Sequence, residues 1–414
     1  MNQSYRPYTP LQSYLLPPSL QDWLPSDHLC YFIMDTVAEL ELSKFKVRYG
    51  GKGGDGNIPY DPRMLVGVLL YGYATGVFSS RAIGRKLHED IAFRVIAAGN
   101  FPSHRTIARF RMENLEAFSS TFTQVVQIAR EVGLVTLGLV AIDGSKVHAN
   151  ASKHKAMSYG RMKEEEVRLK GEIDALLKKA QEADEEEGDD DDDPNIPEEL
   201  SLREKRLETI KAAKQRLEER VSEEKLSDTS QENFTDPQSR IMKTGKGFEQ
   251  CYNAQVAVDE EAQIIVAAEV VQDTNDKQQL VPLLEAIEEE CGSLPVAVTS
   301  DAGYRSEENF QTLEEREVRG YVALGREGVK QTVKEREKNP ATCRMERRLE
   351  GKRGKAQYAK RKGIVEPVFG WIKGGLKFRQ FLLRGVKKVN AEWRLLCAAL
   401  NLRRMSERMQ WKFA

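Results

Sequence analysis

The sequence predicts an α/β protein: a mixed sheet flanked by helices, interrupted by a long charged helical insertion and preceded by an all-α N-terminal domain. Three observations predict it. Apolar residues at helical spacing fill the first 130 residues. From about Val132 they give way to Val- and Ile-rich runs of strand length, at first successive and then alternating with helical segments. Between the first and second of these strands, about residues 155–235 have a different, highly charged composition. The expected boundaries are therefore 1–130 and 131–414, with 155–235 as an insertion in the second domain.

At 414 residues, with 40% hydrophobic and 31% charged side chains, the chain has room for two cores and the balance of a water-soluble globular protein. Its longest nearly apolar run, Met64–Phe78, is shorter than a bilayer span and contains glycines, which implies a buried helix and no membrane partner. The opening residues lack the basic-then-apolar pattern of a secretory signal. Five scattered cysteines, Cys30, Cys251, Cys291, Cys343 and Cys397, never take CxxC spacing. They imply reduced core thiols in a cytoplasmic protein, not a disulfide frame or a zinc site.

The net charge of −1 hides an asymmetry. Residues 160–235 carry 14 Lys/Arg against 25 Asp/Glu, a balance of −11 that leaves +10 for the rest of the chain. Residues 326–388 carry 20 against 6, or +14. That density of cations suits a polyanion, because phosphate contacts supply most non-specific nucleic-acid affinity. A solvated helical surface has the same composition, and charge alone weighs the two evenly.

Taken in order, "SDHLCYFIMDTVAELEL" reads as a helix capped by Ser26 or Asp27, and "DPRMLVGVLLYGYATG" as one with Pro62 early and Gly76 as its stop. The Gly-rich "YGGKGGDGNIPY" between them lacks the GKS/T ending of a phosphate cradle and reads as a connector. Residues 78–118 read as two short helices, a "GNFPS" turn and a third helix capped by Ser103. Arg105 and Arg109 share one face of that third helix at i, i+4 spacing, as in the recognition helix of a helix-turn-helix; surface arginines on a plain bundle are the alternative. Strands follow at "LVTLGLVAIDGSKV", "FEQCYNAQVAVD" and "AQIIVAAEVVQD", the last two forming a hairpin. Then come the helix "NDKQQLVPLLEAIEEECG", the strand "PVAVTSDAG", the helix "SEENFQTLEERE" and the strand "GYVALG". Within the insertion, two long helices with Leu and Ile at helical spacing flank "DEEEGDDDDDP", an antiparallel pair with a solvated acidic tip.

Two carboxylates stand in matching positions. Asp143 ends the first strand in "VAIDGSK" and Asp301 ends a later one in "VTSDAG". In a mixed sheet the first strand and the strand after the first crossover helix are neighbours, so these aspartates are expected to sit close together. A third, Glu366, lies in "YAKRKGIVEPVFGWIKGGLKFRQF", a basic segment read as a helix with Pro367 in its first turn and Lys373 two turns on from the Glu. A trio of carboxylates in basic surroundings can form a hard oxygen site for Mg²⁺, two ions of which would serve phosphodiester chemistry. In "NFTDPQSRIMKTGKGFEQCYN", Asp236, Arg240 and Lys243 could touch DNA, and Asn253 and Gln255 could line the site; a loop with internal hydrogen bonds weighs equally. His148 and His154 have no zinc partners at ligand spacing. Trp371 and Phe378 read as core.

"AIDGSKVHANASKHK", "DPQSRIMKTGKGFEQCYNAQVAVD", "SDAGYRSEEN" and "IVEPVFGWIKGGLKFRQFLLRG" resemble a bacterial insertion-sequence transposase of the DDE type. "LLPPSLQDWLPSDHL", "YDPRMLVGVLLYGYATGVFSSRAI" and "PSHRTIARFR" are similar to the helical domain that precedes the catalytic core in that group. The resemblance implies an RNase H-like core in which Asp143, Asp301 and Glu366 bind two Mg²⁺ ions, with Mn²⁺ able to substitute. Around the third carboxylate such enzymes carry a tyrosine, an arginine, the Glu and a lysine. Lys373 keeps the Glu-to-Lys spacing. Tyr358 and Arg361 lie one residue further from Glu366 than the common pattern, so that Lys362 takes the usual arginine place and Ala359 the tyrosine place. The implied DNA contacts are Tyr358, Arg361, Lys362 and Lys373 near the carboxylates, Arg240 beside them, and Arg105 and Arg109 in the N-terminal domain. The implied function is transposition: binding of terminal inverted repeats, metal-dependent cleavage and transfer to target DNA, by a homodimer on double-stranded DNA in the bacterial cytoplasm at the nucleoid. A transposase-derived DNA-binding protein without catalysis and a nuclease without strand transfer are the alternatives.

Overall fold

The computed structural model describes residues 19–46, 59–185, 196–222, 224–245, 247–325 and 338–413. Most of the Gly-rich connector and the aspartate run of the insertion lie outside the described residues. The chain divides into two units, one of residues up to Ala117 and from Leu402 onward, the other Phe118–Asn401.

The first unit is helical: α1 (Leu29–Glu39), α2 (Pro62–Ala74), α3 (Ser80–Glu89), α4 (Ile91–Ile96) and α5 (His104–Glu113). α2 is buried at every position from Leu65 to Ala74, so it is this unit's central helix. Asp61 caps it, Pro62 stands where no N–H is needed, and Gly76 leaves it at φ +80°. α1 begins just after the expected cap: neither Ser26 nor Asp27 but His28 holds its first turn, Nδ1 accepting from the Cys30 N–H at 3.2 Å. Ser103 caps α5 as expected, accepting from Thr106 N at 3.2 Å. Ile107 and Phe110 of α5 face the core while Arg105 and Arg109 are exposed.

In the second unit α6 (Leu115–Glu131) leads into a sheet of β1 (Leu139–His148), β4 (Arg240–Thr244), β5 (Gly247–Asp259), β6 (Ile265–Val271), β7 (Ala297–Ser300) and β8 (Arg319–Val322). The order is β4-β5-β1-β7-β8, with β6 also on β5. β5 runs antiparallel to β1, β4 and β6, whereas β1, β7 and β8 are mutually parallel. β7 is buried on both faces, which suits a central parallel strand. β4 corrects the expectation of a polar run leading into the second strand: Arg240–Thr244 pairs in register with Gly247–Cys251.

Helices α9 (Leu280–Cys291), α10 (Glu307–Glu315), α11 (Pro340–Glu350), α12 (Lys352–Gly370) and α13 (Val386–Phe413) alternate with and follow the later strands. α13 is pinned along the antiparallel strands. The Asn401 amide donates to Ile265 O and its Oδ1 accepts from Ile265 N, both at 2.8 Å, and the Trp393 indole N–H donates to Gln255 O at 3.0 Å. Trp393, Phe378 and Phe381 form a buried aromatic cluster beside it. Trp371, expected in the core with Phe378, is instead 38% exposed.

α12 differs from expectation in its start. It begins at Lys352, so Pro367 is interior and Glu366 lies near its end. A π-helical turn, Trp371–Gly375, follows, with Leu376 N donating to Trp371 O at 2.8 Å. A wider turn re-aims the side chains beyond it.

The insertion is rooted by a two-stranded sheet, β2 (Ala156–Ser158) on β3 (Gln231–Asn233), and consists of α7 (Tyr159–Glu185) and α8 (Ile196–Arg220). The ion pairs Glu172–Arg203, Glu165–Arg206 and Glu166–Lys214 ascend one helix and descend the other only roughly in step, as an antiparallel pair requires. Met162, Leu169, Leu207, Ile210, Ala213 and Leu217 give the pair its own core. All five cysteines are free and buried, as expected.

Candidate active site

β1 and β7 pair in parallel from Leu139↔Ala297 to Ile142↔Ser300. The next residue on each chain is an aspartate, Asp143 and Asp301, so their backbones stand about one strand spacing apart. β7 ends there, but Asp143 does not end its strand as expected: β5 stays paired with β1 as far as His148, so Asp143 lies within β1 at the point where β7 leaves it. Each is oriented by a glycine just after it: Gly144 N donates to Asp143 Oδ1 and Gly303 N to Asp301 Oδ1, both at 2.8 Å. Asp301 thereby also caps the 3₁₀ turn Ala302–Tyr304.

Asp143 is 19% exposed, and its carboxyl is pushed up to about 6, first by burial and then by the negative charge of Asp301. Against this, Arg361 of α12 donates from Nη1 to Asp143 Oδ2 at 3.0 Å. The same guanidinium stands 3.7 Å from Glu366 Oε1 through Nη2, so one arginine links the first and third carboxylates of the expected trio. Glu366 itself is 54% exposed. Among the described residues no three His, Cys, Asp or Glu side chains converge closely enough to enclose a metal ion. The oxygens present are nevertheless of the type a hard divalent cation takes, and the burial and Asp301 charge that raise the Asp143 carboxyl are costs that a bound cation would offset.

The other expected site residues fall into two groups. Tyr358 is half-buried on α12 and Lys362 is exposed there. Arg105 and Arg109 are exposed on α5. Lys373, by contrast, is drawn into the protein from within the π turn, its ammonium donating to Ser145 Oγ and to Lys146 O. Burial holds its pKa below the usual lysine value. Arg240 is likewise turned inward, donating from Nη1 to Pro237 O and Ser239 O at 2.8 Å, with burial pushing it down to about 10. The irregular loop before β4 leaves those carbonyls without strand partners, and the arginine satisfies them. Asp236 is buried and accepts from Tyr252 Oη at 2.9 Å, a structural contact.

One residue escaped sequence reasoning. Asp276, in the turn between β6 and α9, accepts from Asn253 Nδ2 at 2.6 Å and Gln255 Nε2 at 2.7 Å, and pairs with Lys146 Nζ at 3.5 Å. Its charge bears on Asp143 and on the buried phenol of Tyr304, whose Oη donates to Gln255 Oε1. The strand β6 is followed closely by "QDTND", the same succession of apolar strand and carboxylate that marked Asp143 and Asp301.

Comparison with known families places two matches on the chain. A transposase DDE domain matches residues 209–402, and a transposase domain of the DUF772 type matches residues 18–113. No curated protein and no solved structure matches. The DDE match includes Asp276, Asp301, Arg361 and Glu366 and begins after Asp143. Asp143 therefore joins the set through its strand pairing with β7, not through the matched segment. The mixed sheet with its flanking helices is the RNase H-like core of that domain. The chain belongs to the DDE transposases of insertion sequences, enzymes that cleave DNA and transfer its strands.

Proposed function

We propose that the chain recognises the terminal inverted repeats of its element through the N-terminal helices, and cuts and joins DNA at a cation site of Asp143, Asp301 and Glu366. The observation that carries this reading is the in-register parallel pairing of β1 with β7, after whose last pair each chain has an aspartate. The strands fix Asp143 and Asp301, while the half-exposed Glu366 has room to turn toward them. Mg²⁺, or Mn²⁺ in its place, would supply an activated nucleophile and stabilise the leaving 3′-oxygen.

The protein's own groups prepare that chemistry. Asp143 is mostly ionised at neutral pH, and a cation would take the place of the Arg361 guanidinium on its Oδ2. Lys362, exposed on the same helix, faces solvent where a phosphate backbone would pass. Lys373 braces β1 just beyond Asp143 through Ser145 and the Lys146 carbonyl. Joining requires two ends at once, so a homodimer on DNA belongs to this reading.

In the N-terminal unit, Arg81, Arg85 and His88 of α3 and His104 of α5 line one groove. Arg105 and Arg109 continue the cationic surface along α5, and none of these four arginines has an ion-pair partner among the described residues. Arg105→Ala and Arg109→Ala are expected to weaken binding of element ends and to flatten its salt dependence by about one unit of log–log slope per lost phosphate contact. Fluorescence anisotropy over a salt series measures this, and an unchanged slope would remove both residues from the interface.

The reading as a whole is tested by incubating the purified protein with labelled element ends and Mg²⁺ and mapping the products. Cuts at the ends with 3′-OH termini, followed by joined products, are expected. Binding without cutting would make the chain a DNA-binding protein, and cutting without joining a nuclease; either outcome overturns the proposal.

A further inference from the structure

We propose that Tyr304 is a positioning residue for Asp301, tied through Gln255 across β1 at Gly144. The inference rests on the reading of Asp301 as a group of the reaction site. β7 ends at Ser300, and the 3₁₀ turn Ala302–Tyr304 carries the chain away from the sheet. What holds that turn comes from the far side of β1. Tyr304 is fully buried, and its Oη donates to Gln255 Oε1. Burial holds the phenol well above the usual tyrosine value, so it is the donor of this pair. Gln255 lies on β5, in register with Gly144 of β1. Because β5 and β7 flank β1 on opposite sides, the contact bridges β1, one residue beyond Asp143. Only glycine leaves room for it. A Cβ on Gly144 would stand 2.9 Å from Gln255 Cδ and 2.8 Å from Asp276 Oδ1, so any side chain there would push the amide away. Side chains alternate along a strand, so the bridge lies on the face opposite the Asp143 side chain.

The bridge is one arc of a closed circuit. Gln255 Nε2 donates to Asp276 Oδ1 at 2.7 Å. Beside Asp276, the Lys277 carbonyl accepts from Asn309 Nδ2 at 2.7 Å, and the same amide donates to Tyr304 O at 2.7 Å. The turn after Asp301 is therefore held at Tyr304 twice, by the phenol and by the backbone carbonyl. Tyr304, Gln255 and Asn309 are all buried, and a buried network of this kind fixes one geometry where apolar contact alone would tolerate several. Reaction geometry is sensitive to such fixing: a misplacement of about 1 Å can cost roughly a hundredfold in rate. The circuit thus sets Asp301 against Asp143 from behind the sheet without touching the DNA.

The test is Tyr304→Phe in the full-length protein, which keeps the buried ring and removes the hydroxyl. Single-turnover cleavage of labelled element ends is followed over a range of protein concentration. The saturated rate is expected to fall by at least about tenfold, with the half-saturating concentration unchanged. A second variant, Tyr304→Phe with Gln255→Met, replaces both partners by apolar groups. It should recover the stability that an unpaired Gln255 Oε1 costs, but not the tie. It is expected to unfold near the wild-type temperature while still cleaving at least about tenfold more slowly. A double variant that regains both stability and rate would make the hydroxyl a structural group only and overturn the inference. Asp301→Asn is measured alongside. If it loses cleavage while Tyr304→Phe stays within about twofold of wild type, Tyr304 does not position Asp301 and the reading of Asp301 survives. If Asp301→Asn cleaves like wild type, the reading of the site fails and this inference with it.

Discussion

Replacing Asp301 by Asn is expected to lower the rate of end cleavage by at least about a thousandfold, roughly 4 kcal/mol of barrier, with little effect on binding of the ends. The substitution is nearly isosteric. An asparagine side chain at this position retains an Oδ1 to accept from Gly303 N, so the 3₁₀ turn and the strand end should persist. What disappears is one of two negative charges side by side where β7 leaves β1, and with it the electrostatic basis for holding a divalent cation against a scissile phosphate. Arginines on α5 lie in the other unit and are untouched, so end binding should keep its affinity and salt dependence. A single-turnover cleavage assay beside an anisotropy titration measures both. Cleavage within tenfold of wild type would remove Asp301 from the chemistry.

The second large effect is on stability, and its sign is opposite to intuition. Asp143→Asn should make the protein more stable at neutral pH when divalent cations are chelated. Burial, with the charge of Asp301 behind it, raises the Asp143 carboxyl from 3.8 to about 6 in the folded chain. Above pH 6 the group is charged in both folded and unfolded states, and the folded state bears the full cost of that charge. As pH falls through 6 the folded protein takes up the proton first and the cost shrinks, vanishing below the unfolded value of 3.8. A shift of this size corresponds to at most roughly 3 kcal/mol, so Asn is expected to gain about 1–3 kcal/mol at pH 7 and almost nothing near pH 4. Denaturant unfolding of both proteins in chelator at the two pH values checks this. A variant less stable at pH 7, or a difference independent of pH, would show that Arg361 compensates the charge fully. A site that stores repulsion until a cation arrives is the usual exchange of stability for function.

The sheet was legible in the sequence because its strands are local apolar runs ended by turn residues, and the pairing of β1 with β7 follows from general rules for crossover connections. That is why Asp143 and Asp301 could be expected on neighbouring strands; that β1 continues past Asp143 to His148 was not legible, because its polar second half is a strand only through its pairing with β5. The helical pair of the insertion was legible for a related reason: its apolar spacing is intrinsic to the helices. Features made by distant contacts were not. Lys373 has the spacing of a residue on the Glu366 face, but a π turn that no local pattern announces directs it to Ser145. Arg240 looks like a surface cation, and only the folded loop reveals carbonyls for it to satisfy. β4 was missed because Arg240–Thr244 has too few apolar residues to read as a strand without its partner. Asp276 follows β6 in the same succession of apolar strand and carboxylate, but "QDTND" holds two aspartates and only the folded turn shows which one bears on Asp143.

The central claim is that the carboxylates of Asp143, within β1, and Asp301, at the end of β7, touch the cation that serves DNA cleavage. Asp143→Cys and Asp301→Cys test it most directly, assayed for end cleavage with Mg²⁺ and with Mn²⁺. A thiolate is a poor ligand for Mg²⁺ and a better one for softer ions. Both variants should therefore lose cleavage with Mg²⁺ and recover part of it with Mn²⁺. Cleavage with Mg²⁺ at the wild-type rate in either variant would contradict the claim for that residue.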